Sequence, residues 1–241
     1  MPSPHIVGSY DAELQSLARR IAAMGGHAER MAVEAVRALV GGDRRLAHKV
    51  VRDDEVLDEA ERAIGEAAVL TIARRQPIAE DLREIVAAIR IAADLERIGD
   101  LAKNIAKRVD VIAGVEQPPQ LLRGIEALAE GAFGQLKEVL DAYAARSVNR
   151  LAASRERDRE IDTMFTSLFQ ALLAQMAADP QFVTASTHLL FCVKNIERIG
   201  DHATNIAETV HLMVTGVPMP IERSKADRSH LASLEPETAR P

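Results

Sequence analysis

Tryptophan is absent, and aromatic residues make up only 3% of the 241 positions. A core must therefore be filled by Ala, Leu, Ile and Val, which suits long, closely packed helices rather than sheets. The single cysteine, Cys192, excludes a disulfide framework within one chain, and the apolar run around it points to a buried, inert thiol. No basic excess exists: the net charge is -6, so the electrostatic footprint of a nucleic-acid binder is missing. No apolar run approaches the roughly 18 residues of a membrane span, since even 85–95 is broken by Arg90 and Asp94. The start, Met-Pro-Ser-Pro-His, carries no basic region followed by an apolar stretch. These absences predict a soluble, cytoplasmic protein that reaches a membrane only through a partner. No G-x-x-x-x-G-K-[ST] loop, G-x-S-x-G elbow or paired-cysteine site occurs, which leaves nucleotide hydrolysis, serine-hydrolase chemistry and thiolate metal sites without support.

What the chain does have is a duplication. Glu-Arg-Ile-Gly-Asp-Leu-Ala-Lys-Asn, from Glu96 to Asn104, returns 101 residues later as Glu-Arg-Ile-Gly-Asp-His-Ala-Thr-Asn, from Glu197 to Asn205. Over 94–106 against 195–207, nine of thirteen positions are identical without a gap. Each copy sets Glu, Asp and Asn at i, i+4 and i+8, and at about 100° per residue the three advance by only about 40° per step. One stripe of oxygen ligands results: Glu96, Asp100 and Asn104, then Glu197, Asp201 and Asn205.

This stripe opposes helix formation locally. Like charges at i, i+4 repel by roughly 0.2–0.5 kcal/mol, and Gly99 or Gly200 inside a helix costs about 1 kcal/mol relative to Ala. A polyvalent cation would turn repelling carboxylates into ligands, because hard cations take carboxylate and amide oxygens. The competing reading pairs the carboxylates with Arg97, Arg198 or other basic side chains on a solvated face. The in-register repetition of Gly and Asn favours the ion over arginine or lysine.

If the halves are equivalent, another helix in each should face the motif helix with its own ligands. Asp54 and Asp58 match Asp158 and Asp162 at an offset of 104 (158 − 54 and 162 − 58), and a turn longer by three residues accounts for the difference from 101. The expected constellations are Asp54, Asp58, Glu96, Asp100 and Asn104, then Asp158, Asp162, Glu197, Asp201 and Asn205, with oxygens enough for more than one ion per site. Asp94 and Asn195, two residues before each Glu, point about 160° away and are not expected to be ligands. His202, whose counterpart is Leu101, is expected to face a partner. The lone Glu-x-x-His, Glu208 to His211, has no match in the other half.

Helical periodicity predicts helices over 10–40, 43–75 and 79–113, then from the Pro118-Pro119 pair to about 146, over 147–178, and from Asp179-Pro180 to 215. Gly41-Gly42 stops the first and Asp43 can cap the second. Short connections make consecutive helices antiparallel. The expected fold is all-α: two tandem three-helix up-down-up bundles, 10–115 and 118–215, followed by a disordered tail over 216–241, where Pro, Ser and charge dominate.

On these residues, Asp54 and Asp58 with Glu96, Asp100 and Asn104, and Asp158 and Asp162 with Glu197, Asp201 and Asn205, the chain resembles the PhoU family of phosphate-signalling regulators over 10–215. The resemblance implies a cytoplasmic, usually dimeric accessory protein that is not an enzyme. It implies metal clusters on the bundle surface, iron or zinc in some members and magnesium or manganese in others. It also implies a link between the ATPase of a phosphate ABC transporter and a sensor histidine kinase, restraining uptake and the phosphate-starvation response. Two other readings stay open: a di-metal carboxylate oxidase of the ferritin-like kind, which needs two Glu-x-x-His motifs where this chain has one, and a helical scaffold without metal.

Overall fold

The structure is a computed structural model that describes residues 4–151 and 154–219. The described residues form six α-helices and no strand: α1 (Pro4–Gly41), α2 (Arg44–Arg75), α3 (Ala79–Ile112), α4 (Pro119–Ala145), α5 (Ser154–Ala178) and α6 (Val183–Thr215). None of these helices is long and apolar enough to cross a membrane. Each half is a trio, α1–α3 and α4–α6, in which every helix packs on the other two. The expected tail lies mostly outside the described residues, from 220 onward.

Local signals set the ends. α1 buries Leu14, Leu17, Ile21, Met24, Ala28, Met31 and Ala35, alternating steps of three and four, so one stripe of a long helix faces inward. It stops where Gly42 takes φ +62, a left-handed turn that glycine adopts without a Cβ clash. Asp43 then caps α2, accepting a hydrogen bond from the Leu46 backbone N–H at 2.9 Å. Arg75 at the far end of α2 clasps Glu13 of α1 through two contacts, 2.8 and 3.2 Å.

The fifth helix starts later than the sequence predicts. At the end of α4, Arg146 turns left-handed (φ 49), and the Ser147 N–H reaches back to the Ala142 carbonyl at 3.0 Å, closing a Schellman-type cap that ends the helix. A short 3-10 turn, Val148–Leu151, follows, and α5 begins at Ser154 rather than 147. α6 is likewise preceded by a 3-10 turn, Pro180–Phe182, whose Asp179 cap accepts from the Gln181 N–H at 3.0 Å.

The two trios share one core. α3 packs on α6 as extensively as on α2 of its own half, and buried residues from all six helices form a continuous cluster. The reason lies in α3 and α6 themselves, which carry apolar residues around most of their circumference. Ile85, Ala88, Ile91, Ala92, Leu95, Ile98, Ala102 and Ile105 are all essentially buried, as are Leu189, Val193, Ile196, Ile199, Ala203 and Ile206. A helix apolar on so many sides must be central, so α3 and α6 form the axis and the amphipathic helices surround them.

Gly99 marks where α2 approaches α3 most closely. A Cβ there would collide with Leu57 Cδ1, whose side chain is itself 1% exposed. On α2, by contrast, nothing lies within 4 Å of a Cβ built at Gly65. Gly65→Ala should therefore stabilise the fold by up to about 1 kcal/mol, and Gly99→Ala should cost about 1–3 kcal/mol through overpacking. Urea unfolding of the two variants beside the parent checks the opposite signs.

Candidate carboxylate faces

The first face lies where α2 meets α3. Asp54 is buried, and Lys103, one turn beyond Asp100, places its ammonium between Asp54 and Asp100, 2.6 Å from the latter. Arg97 lies on the outer side, 3.3 Å from Glu96 and 3.5 Å from Asp100. Burial pushes the Asp54 carboxyl above the usual carboxylate range; Asp58 and Asp100 add repulsion, and Lys103 opposes the shift without cancelling it. Glu96 is also raised, by burial first, then by Asp100, Asp58 and Glu61, with Arg97 opposing. Five carboxylates, Asp54, Asp58, Glu61, Glu96 and Asp100, thus form a network of mutual repulsion across the α2–α3 contact. Burial works against the Lys103 charge, but its bonds to Asp100 and Asp54 outweigh that and hold the ammonium protonated well above its ordinary range.

The second face repeats the helices with a different interior. Asp162 and Glu197 are 3% and 1% exposed, deeper than Asp54 at 5%. Thr204, the counterpart of Lys103, donates to Asp158 at 2.9 Å and accepts from the Gln135 side-chain amide at 2.7 Å. Gln135 is fully buried and reaches Ser154 as well, at 3.4 Å. Lys194 reaches Glu197 at 2.9 Å, with its ammonium 4.7 Å from the centre of the Phe165 ring.

The two motif asparagines are placed differently from each other. Asn205 turns into the seam between halves, its amide donating to Asp94 of α3 at 3.3 Å, and His202 Nδ1 is 2.8 Å from the same Asp94 oxygen. His202 therefore faces the other half rather than a partner, and Asp94 points away from Glu96 as its position on the helix requires. The 40° drift per step explains Asn205: two steps carry it about 80° round the helix from Glu197. Asn104 is exposed. Sequence reasoning missed Lys103, Lys194 and Gln135; the i, i+3 spacing of Asp100 to Lys103 and Lys194 to Glu197 was the available signal.

Lys103, Arg97 and Lys194 all reach the carboxylates expected to hold an ion. Among the described residues, no three acidic, histidine or cysteine side chains gather closely enough to enclose a metal. The donor set, hard oxygens in mutual repulsion, still suits a hard cation. Cys192 belongs to neither face: it is fully buried, and burial pushes its thiol up to about 12.

The raised Glu96 carboxyl has a definite consequence for stability. The folded chain holds this proton more tightly than the unfolded chain, so the charged form destabilises the fold above the folded-state value, and the penalty fades as pH falls through it. Glu96→Gln should raise the melting temperature at pH 7 and give no gain near pH 3. Thermal unfolding across that range checks it.

The PhoU domain model matches the chain twice, over 21–109 and 125–210. The chain is 60% identical, over 94% of its length and 96% of the other's, to a Rhizobium meliloti protein named phosphate-specific transport system accessory protein PhoU homolog. A Caulobacter vibrioides protein of the same name is 44% identical over 92% of this chain and 97% of its own. The crystal structure of PhoU from Pseudomonas aeruginosa superposes with a TM-score of 0.83 at 33% identity, covering 86% of this chain and all of that one. The two matched segments coincide with the two helical trios and the duplicated motif, and the chain belongs to the PhoU domain family.

Proposed function

We propose that this chain is an accessory regulator of a phosphate-specific transport system, acting by binding rather than by catalysis. The observation that carries the reading is the likeness to the Rhizobium meliloti accessory protein over 94% of this chain and 96% of that one. The regulator restrains phosphate uptake and the phosphate-starvation response by linking the transporter's ATPase to a sensor histidine kinase. It works in the cytoplasm as a homodimer and meets the membrane only through those partners. Its net charge of -6 gives no basic excess for nucleic acid.

Polyvalent cations belong to this proposal as ligands of the two faces. Asp54, Asp58, Glu96 and Asp100 would hold one, and Asp158, Asp162, Glu197 and Asp201 the other. Their oxygens accept magnesium or manganese most directly, and iron or zinc as well. Bound there, a cation would tie α2 to α3 and α5 to α6 and fix the surface offered to a partner. The oxidase reading gains no support: Glu208 is exposed, and the His211 ring is engaged at the end of α6, 3.1 Å from the Val217 carbonyl oxygen.

Removing the chain from its host should switch phosphate-starvation genes on in phosphate-rich medium, and restoring it should switch them off. A chain with Glu96, Asp100, Glu197 and Asp201 replaced by Gln or Asn should fold, judged by circular dichroism, yet bind less metal and restore repression poorly. A reporter that stays repressed after complete removal of the chain would overturn the regulatory reading.

A further inference from the structure

The repeat preserves the carboxylates but not the cations that meet them. Position 103 is Lys and its counterpart 204 is Thr; position 194 is Lys and its counterpart, 101 residues earlier, is Ala93. Each face nonetheless receives one lysine ammonium. Lys103 comes from one turn after the motif Asp, and Lys194 from one turn before the motif Glu. Each ammonium meets one buried carboxylate, the Asp54 side chain at 7% exposed and that of Glu197 at 1%. A carboxylate so buried is strongly unfavourable unless an opposite charge is at hand.

We infer that Lys103 and Lys194 are resident counter-ions, one for each carboxylate face, that hold the faces together without metal and must be displaced before a cation can enter. On the first face the ammonium bridges two helices, Asp54 of α2 and Asp100 of α3, the same join a metal would make. Arg97 guards the outer side of Glu96 and Asp100. On the second face the Lys194 ammonium bonds Glu197 and rests over the Phe165 ring, a cation–π contact that adds to its hold. The neighbouring position 204 contributes a hydroxyl there, not a charge. The same electrostatic demand has thus been met from two unrelated positions, which marks the positive charge, not the particular site of attachment, as what the fold requires.

The displacement part of this inference rests on the cation binding proposed above; the counter-ion part does not. The test uses the full chain, stripped with chelator, as Lys103→Met, Lys194→Met and the double variant, with Lys→Arg at each position as a charge-keeping control. The probe is Mn²⁺ alone. The wild type should gain less in melting temperature on exchange of chelator for Mn²⁺ than the Met variants do. Each Met variant should melt lower in chelator, by at least about 5 °C for a chain of this size, and should recover with millimolar Mn²⁺, binding it about tenfold tighter than the wild type. The Arg variants should melt like the wild type.

Met variants that keep the wild-type melting temperature in chelator would overturn the counter-ion role. So would Met and Arg variants that both fail to fold, since shape rather than charge would then be at stake. Met variants destabilised but bound by no Mn²⁺ would support the counter-ion role and refute cation binding at the faces. A wild type that binds Mn²⁺ as tightly as the variants would refute displacement alone.

Discussion

A carboxylate between two packed helices needs a positive charge within reach, and the outer helices of this fold are placed around that need. Asp54 of α2 and Glu197 of α6 are both buried, on helices that each pack against the central α3. A lone charge in that position would shift its protonation or weaken the fold. Lys103 opposes that shift at Asp54, and Lys194 brings an opposite charge to Glu197. The long aliphatic stem of lysine lets the residue root at several backbone positions and still deliver its ammonium to the same place.

Small residues make the arrangement possible. Gly99 lets Leu57 lie against the α3 backbone, and Gly200 meets Ile161 in the equivalent place, where a Cβ would stand 3.2 Å from it. The close approach brings the acidic pair of α2 or α5 alongside the motif stripe. A side chain at Gly99 would press on Leu57 and disturb the Lys103–Asp54 contact between α2 and α3. The glycine that is unfavourable for the isolated helix is therefore what brings the face together.

Much of this was legible in the residues. Alternating three-and-four spacing revealed the helices, Pro and Gly revealed their ends, and the duplicated Glu-Arg-Ile-Gly-Asp revealed the two halves. The sharing of one core was harder to see, because a pattern of apolar residues says how much of a helix is covered and not by which neighbour. The start of α5 at Ser154 was hidden by the left-handed cap at Arg146, a conformation rarely expected of arginine. Over two steps the 40° drift carries Asn205 to the seam beside Asp94, a contact that only the packing of α3 on α6 reveals. Lys103 was passed over because a lysine beside an aspartate reads as an ordinary surface pair until the partner helix shows Asp54 on its far side.

The seam also binds the two faces to each other. Asp94, two residues before Glu96, holds His202, the residue after Asp201, and Asn205, so the motif helices are pinned together between their acidic stripes. Arg146 at the end of α4 adds an ion pair with Glu84 of α3, again across the halves. Sliding α6 along α3 would have to break these contacts and disturb a close-packed core that fills both trios, and cores of this density resist partial shifts. The two carboxylate faces therefore sit on one rigid axis. Whatever charge occupies one of them, ammonium or metal, acts on the spacing of its own outer helix against that axis and leaves the axis itself in place.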